Sequence, residues 1–150
     1  SGPATVQTVI GAKVILGNGQ VPTSEEDNMF AVVSPAFMGY LAQTPEFSSS
    51  DYVDTKTFSG RTVRMRRWLG VNWYETPLVT GNGTASEICY MFHRASIGYA
   101  VRVQEESIAI GYDEKQDTSW TRATTYHAAK LLQNTGVVKI THDGSAFQPT

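Results

Sequence analysis

The chain has 150 residues, of which 41% are hydrophobic and 11% are aromatic, and its formal net charge is −2. This length and apolar content allow one buried core, so we expect a single folded domain, 1–150, and not a disordered or fibrous protein. The near-neutral charge gives no overall attraction to nucleic acid or to an anionic membrane, and no run of about eighteen apolar residues predicts a membrane span. Cys89 is the only cysteine, which excludes an internal disulfide and suits a reducing cytoplasm.

The first elements follow from apolar spacing and from helix-end signals. Valine and isoleucine at helical spacing predict a short helix at about 5–16, which Gly17-Asn18-Gly19 ends. The apolar run Met29–Val33 is typical of a buried strand. Ser34-Pro35 combines an N-cap with a proline at the first helical position, so a helix follows, and Pro45 ends it.

The middle of the chain is predicted to be extended and then helical. From Thr57 to Tyr74 apolar residues alternate with arginines, which indicates a strand with one packed and one cationic face. Thr84 and Glu87 have the spacing of a capping box, and apolar residues then recur at helical intervals. We therefore predict an amphipathic helix at about 85–99. The core would be shared by inner-face residues of the two main helices: Phe37, Leu41, Ile88, Phe92 and Tyr99.

The rest of the chain is predicted to be mostly β. Residues Ala100–Tyr112 and Thr118–Tyr126 have strand character and flank a charged loop at Asp113–Asp117. The segment Ala128–Leu132 fits a helix or an extension of the preceding strand, and Gly136–Ile140 predicts a last strand. Because helices and strands are mixed without regular βαβ alternation, the fold class is α+β.

Five segments, in this order, resemble the major capsid proteins of tailed bacteriophages: Phe30–Pro35, Glu46–Tyr52, Arg67–Val71, Phe92–Ala100 and Gly136–Ile140. The resemblance implies the Hong Kong 97-like fold, in which an axial domain and a peripheral domain are joined by an extended loop and an N-terminal arm. The chain has no room for the arm, the loop or most of the long helix of that fold. Residues 1–150 would therefore be the axial domain with the closing strands of the peripheral domain, and residues 1–3 a candidate expression scar.

The resemblance also implies a function and a set of partners. It implies a structural subunit of an icosahedral phage or prophage capsid, which self-assembles into capsomers that enclose DNA. Its expected partners would be other copies of itself, with scaffold, protease and portal proteins as candidate partners, and the packaged DNA indirectly. The site of action would be the virion, after assembly in the bacterial host cytoplasm. An encapsulin-like compartment shell protein remains an alternative with the same fold.

One cationic segment stands out as a candidate contact surface. Arg61, Arg64, Arg66, Arg67 and Trp68 form the densest positive patch, and arginines next to an aromatic ring can bind phosphates and stack on bases. This pattern supports a nucleic-acid-binding or adaptor module as a further alternative. A solvated strand face, or pairing with carboxylates of a neighbouring subunit, is the interpretation we favour.

No other group of residues predicts chemistry. Cys89 and His93 are four residues apart and would face each other on a helix, but neither His127 nor His142 has the spacing to complete a zinc site. The turn at Gly81–Thr84 could bind an anion but lacks the lysine of a phosphate-binding loop. We therefore predict a non-enzymatic protein with no catalytic residues, no metal ligands and no cofactor.

Overall fold

The computed structural model describes residues 2–48, 65–102 and 107–147. The chain divides into two compact units, one formed by Ser1–Ser96 with Gln133–Thr150 and the other by Ile97–Leu132. In chain order the helices and strands are α1 (Val6–Asn18), β1 (Met29–Val33), α2 (Pro35–Ala42), α3 (Pro45–Ser48), β2 (Met65–Trp68), β3 (Val71–Glu75), β4 (Glu87–His93), β5 (Ile97–Val101), β6 (Ser107–Asp113), β7 (Thr118–Thr124), β8 (His127–Leu131) and β9 (Val137–His142). The mixture confirms the α+β class, whereas the organisation of 1–150 as one domain stays a prediction.

A five-stranded sheet is the centre of the first unit. Its strand order is β2-β3-β1-β4-β9, and only the pairing of β1 with β3 is parallel. In the two central pairings Ala31 lies opposite both Trp73 and Met91. Alternate residues of β1, β3, β4 and β9 are buried together with apolar residues of α1 and α2, as expected for a sheet covered on one face. The buried set includes Val9, Leu16, Met29, Ala31, Phe37, Leu41, Val71, Trp73, Cys89, Met91 and Ile140.

The predicted starts of the first two helices are confirmed, and α1 runs two residues beyond its predicted end at residue 16. Thr5 caps α1 by accepting a hydrogen bond from Thr8 N, and the helix continues to Asn18 before Gly19 closes it. Ser34 caps α2, because its Oγ accepts from Phe37 N at 3.1 Å. Pro45 lies after the end of α2, as predicted, and it is also the first residue of the short helix α3, a position that proline favours.

The predicted helix at 85–99 is wrong. The segment is the strand β4, a 3₁₀ turn at Arg94–Ser96, and the beginning of β5. The side chain of Thr84 accepts from Ser86 N and donates to Gly81 O, so it closes a turn where we predicted a helix cap. The side chains of β4 alternate between the two faces of the sheet, with a period of two residues. The segment is extended because β4 lies between β1 and β9, and both neighbouring strands form hydrogen bonds with its backbone. Apolar residues on both faces of this strand produced the apparent helical spacing.

The core prediction is therefore correct only in part. Phe37 and Leu41 are fully buried. Ile88 and Phe92 point to the other face of the sheet and are half-buried, and Phe92 stacks on Phe30 with ring centroids 6.1 Å apart. Tyr99 is 67% exposed and belongs to the second unit. The inner residues of β4 are instead Glu87, Cys89, Met91 and His93.

The second unit consists of two antiparallel strand pairs, β5 with β8 and β6 with β7. The predicted loop joins β6 to β7 and begins one residue later than expected, since Asp113 ends β6, and the undecided segment at 128–132 lies in the strand β8 except for its last residue. None of the described residues of this unit, 97–102 and 107–132, is buried. Its structure therefore depends on strand pairing and not on a core of its own.

Replacing Phe37 with alanine tests the assignment of the core. Phe37 is fully buried and stacks on Trp73 at 6.0 Å, so Phe37→Ala should lower the free energy of unfolding by about 3–5 kcal/mol. The exposed Tyr99 provides the control, since Tyr99→Ala should change it by less than about 0.5 kcal/mol. Denaturant titration measures both values, and equal effects of the two substitutions would contradict this core.

Candidate functional site

Arg67 of the cationic patch is engaged within its own unit. Its guanidinium forms ion pairs with Asp27 and, at 3.9 Å, with Glu26, and its Nε donates to Asn72 Oδ1 at 3.4 Å. Such partly exposed pairs add little stability, but they reduce the positive charge available to an outside partner. Arg61 and Arg64 lie outside the described residues, as does the side chain of Arg66.

Trp68 is part of the core and not of the surface. Its side chain is 3% exposed, packs edge-on against Phe47 at 5.0 Å, and contacts Trp73 at 6.0 Å. Its Nε1 donates to the carbonyl of Glu46 at 3.2 Å, which satisfies the polar atom of the ring. The ring therefore offers no exposed face on which a base could stack, while a contact role for the arginines stays a prediction.

Three polar side chains meet in the interior where α2 begins and where β4 pairs with β9. Glu87 and His142 lie directly opposite each other in the sheet, and Ser34 is the cap of α2. All three are at most 1% exposed. Glu87 Oε2 accepts from Ser34 Oγ at 2.5 Å and lies 2.9 Å from His142 Nε2. We call Ser34, Glu87 and His142 the buried polar centre.

The second carboxylate oxygen of Glu87 is held by a turn. Gly83 N donates to Oε1, and Gly83 has a positive φ of 78°, a conformation that glycine adopts without strain. Gly144 packs directly on the same carboxyl group, where an added Cβ would overlap the carboxyl carbon and both oxygens. Gly144 N also donates to Thr84 O at 3.0 Å. The carboxylate thus has a partner on each oxygen, as a buried charge requires.

Burial decides the protonation state of the imidazole. Desolvation lowers the pKa of His142 below its ordinary value, although the adjacent carboxylate of Glu87 opposes this shift. A neutral ring that donates from Nε2 to Glu87 leaves Nδ1 as an acceptor, and Nδ1 faces Cys89 Sγ at 3.9 Å. Burial also raises the pKa of the Cys89 thiol, so this thiol remains protonated and is a poor nucleophile.

The buried polar centre has the residue types of a hydrolase triad but not its geometry. In such a triad the serine and the acid contact opposite nitrogens of the imidazole. Here Ser34 Oγ, at 3.4 Å, and Glu87 Oε2 both face Nε2 of His142. Ser34 donates its proton to the carboxylate, so the histidine is not placed to remove it. The arrangement supports packing of α2 on the sheet and not nucleophilic catalysis.

Cys89 and His93 do not face each other, because the helix on which they would have done so is the strand β4. Both lie on the inner side of β4, but four residues along a strand span about 13 Å. His93 Nε2 lies instead 3.4 Å from Glu25 Oε2, and its Nδ1 accepts from Ala95 N. Among the described residues no three histidine, cysteine or acidic side chains form a group suited to a metal ion. Cys89 and Glu87 approach opposite sides of the His142 ring and so do not converge on one point.

The sequence could not indicate this centre, because its three residues are widely separated along the chain. Ser34 was recognised only as a helix cap, Glu87 was assigned to a capping box, and His142 was considered only as a zinc ligand. A polar residue within an apolar strand is the one available signal, and it does not indicate which residues it contacts.

Within the parts of the chain that the structure describes, no helix has the length and apolar character needed to cross a membrane.

The buried imidazole predicts how stability depends on pH. The folded pKa of His142 is lowered, so between that value and about 6.5 the unfolded chain binds more protons than the folded chain. Stability should therefore be full above pH of about 6.5 and should fall as the pH drops below it. Denaturation midpoints across this range measure the loss, and an NMR titration of the His142 ring provides a direct control. A midpoint that rises on acidification, or a ring that titrates above 6.5, would contradict the assignment.

Gly144 provides a second test of the same centre. Gly144→Ala forces a methyl group onto the Glu87 carboxyl group and should destabilise the protein by roughly 1–3 kcal/mol. Gly11 is the matched control, because it lies within α1 and an added Cβ there meets no atom within 4 Å. Gly11→Ala should stabilise the protein by up to about 1 kcal/mol. Thermal unfolding compares the two, and a tolerated Gly144→Ala would show that the carboxyl group is not confined.

Comparison with known proteins identifies the family. A family model described as "Phage capsid protein" matches residues 2–144. A solved chain from Mycobacterium phage Che8 superposes with a TM-score of 0.67 at 20% sequence identity. The match covers 93% of this chain and 51% of that chain, so the present chain spans about half the length of this relative. No curated protein sequence matches significantly. The structural likeness shows a shared fold, and because the family model covers nearly the whole sequence, the chain belongs to the phage capsid protein family.

Proposed function

We propose that the chain is part of a structural subunit of an icosahedral phage or prophage capsid, which assembles with other copies into a shell around DNA. The observation that carries the proposal is the family match over residues 2–144. The protein would act in the virion, after assembly in the cytoplasm of the bacterial host. Scaffold, protease and portal proteins would be further partners, and the packaged DNA an indirect one.

The architecture supports a Hong Kong 97-like subunit. The first unit, a mixed sheet covered by α1 and α2, suits the axial domain of that fold. The predicted last strand at Gly136–Ile140 is β9 in the sheet of the first unit, and the described residues of the second unit form paired strands with none buried. The match to about half of the similar phage chain supports a subunit that contains further segments.

The polar interior supports a structural role. The residues with catalytic potential, Ser34 and His142, are buried and share one carboxylate that fixes both of them. Groups that are held in this way stabilise the junction of α2, β4 and β9 and have no exposed atom to present to a substrate. Coat subunits act through broad contact surfaces, for which a rigid, well-packed interior is the requirement.

Two alternative functions receive less support. An encapsulin-like compartment shell would share the fold, and it differs in what it encloses. A nucleic-acid-binding or adaptor module would depend on the cationic patch at 61–68, yet the Trp68 ring is buried and Arg67 is paired with two acidic side chains. Retention on DNA that falls with salt, and that is lost in Arg64→Ala/Arg66→Ala, would favour this module.

Quantitative mass spectrometry of purified DNA-filled particles tests the proposal. Peptides of this sequence should be among the most abundant in the particle, because a shell contains many copies of its coat subunit. A portal or tail peptide from the same preparation provides the control for low copy number. Absence of the chain from such particles would contradict a coat role, and its presence only in particles without DNA would favour a compartment shell.

A further inference from the structure

The loop that follows β3 presents a leucine to solvent. Leu78 is 91% exposed, more than any other large apolar side chain that the structure describes. The loop is held at its start, because Thr76 N donates to Val33 O at 2.9 Å and Leu78 N donates to Thr76 Oγ1 at 3.2 Å. Pro77 fixes a further backbone dihedral between them. A leucine that an ordered loop already holds in place loses little conformational freedom when it binds a partner.

An apolar groove of about 490 Å³ lies between α1 and the turn from β2 to β3. Its apolar lining includes Ile10 and Val14, which are one helical turn apart on α1, and Leu69 in the turn. These three side chains are 48%, 53% and 39% exposed. Exposed apolar side chains that surround a concave surface mark a contact site. The groove therefore suits an apolar side chain of a partner.

The backbone at Leu69 supports a role for this side chain. Leu69 has a φ of 52° and Gly70 a φ of 67°, so both residues of the turn are left-handed. Asparagine, aspartate or glycine is preferred at such positions, and a bulky leucine there is strained. Lys13 Nζ holds the turn by donating to Leu69 O at 2.7 Å. Strained residues that persist cluster at functional sites, and a contact of the leucine side chain would offset the strain.

One molecule cannot place Leu78 in its own groove. The turn at Leu69 precedes β3 and Leu78 follows it, and the five residues of β3 span about 16 Å. The leucine and the groove thus lie at opposite ends of one strand of the first unit. A leucine from this loop can fill the groove only if it comes from another copy of the chain.

The charges of the two surfaces match. The segment Thr76–Thr80 around Leu78 has no charged residue, as entry into an apolar groove requires. Among the described residues, Lys13 is the one charged residue that lines the groove. The charged residue nearest to Leu78 along the chain is Glu75, which is exposed and of opposite sign. A contact that brings Glu75 of one copy towards Lys13 of another is electrostatically favourable.

We propose that Leu78 of one copy of the chain inserts into the groove formed by Ile10, Val14 and Leu69 of the next copy. Because the leucine and the groove are different surfaces, the contact is heterologous, and each copy uses one surface for each of two neighbours. Repeated about an axis, such a contact closes a ring of subunits. The proposal rests on the proposed capsid function in one respect, namely that neighbouring molecules in the shell are copies of this chain.

The size of the contact predicts its strength. One inserted side chain and its surroundings bury much less than the roughly 1,000 Å² of a stable isolated complex, so free chains should associate weakly. Within a shell, other contacts hold the copies together and raise the effective concentration of Leu78 near the groove. Weak association of free chains with a firm contact in the assembly is therefore the expected behaviour.

NMR spectra of methyl groups test the contact in the free chain. As the protein concentration rises, the methyl signals of Ile10 and Val14 should shift. Leu78→Asp should raise the dissociation constant at least about tenfold, because a carboxylate would have to enter an apolar groove. Ile110→Asp is the matched control, since Ile110 is 76% exposed but belongs to the second unit, and it should leave the shifts unchanged.

A mixture of two variants tests whether the two surfaces are different. Val14→Asp changes the groove and retains Leu78, whereas Leu78→Asp retains the groove. Neither variant should associate alone, but unlabelled Val14→Asp added to labelled Leu78→Asp should restore the shift of the Ile10 methyl signal. Both substituted side chains are exposed, so thermal unfolding midpoints close to that of the unchanged chain should verify that the variants fold.

Shifts of the groove methyl signals that persist in Leu78→Asp, or that Ile110→Asp removes equally, would overturn the proposal. Spectra that do not change with concentration, or a mixture that shows no recovery, would also overturn it. None of these results affects the abundance of the chain in purified particles. Failure of the Leu78 contact is thus distinguishable from failure of the capsid assignment.

Discussion

The buried carboxylate of Glu87 is the interaction on which the arrangement of the first unit depends. It binds the cap residue of α2, the histidine opposite it on β9 and the backbone of the turn at Gly83. A buried carboxylate without partners would be strongly unfavourable, whereas this carboxylate has a donor for each oxygen. The helix, the two strands and the turn can therefore keep their positions only together. Removal of one partner would leave a buried charge unpaired, which typically costs more than the pair itself contributes.

The apolar core is continuous with this centre. The rings of His142 and Phe37 pack in a T-shaped arrangement with centroids 4.9 Å apart, and Phe37 stacks on Trp73. Trp73 donates in turn to the carbonyl of Trp68, so the aromatic residues satisfy their own polar atoms within the core. Close packing of rings on a fixed polar group restricts their rotamers, which favours one arrangement of α2 on the sheet. The polar centre thus contributes to specificity as well as to stability.

Local signals in the sequence were sufficient where one residue pattern allowed one structure. Ser34-Pro35 fixes the start of α2 through backbone chemistry alone, and this prediction is confirmed, whereas α1 continues through Gly17 and ends only at Gly19. The region after Thr84 was mistaken for a helix because β4 has apolar residues on both faces, so that Ile88 and Phe92 appeared to belong to one helical face. Its type is determined by β1 and β9, which are distant in sequence. Tertiary pairing can override a local pattern in this way.

Contacts between residues that are distant along the chain could not be predicted from the sequence for the same reason. Nothing near Glu87 indicates that Ser34 and His142 surround it, and nothing near Trp68 indicates that Phe47 covers its ring. The exposure of apolar side chains in the second unit could not be predicted either, since Tyr99 and Ile110 have residue types that are usually buried in a core. Residues of this kind on an open strand pair lower the solubility of a free chain, but they gain stability when an assembly covers them. In the proposed coat subunit, the buried residues of the described chain would lie in the first unit, and the second unit would gain stability when neighbouring subunits cover it.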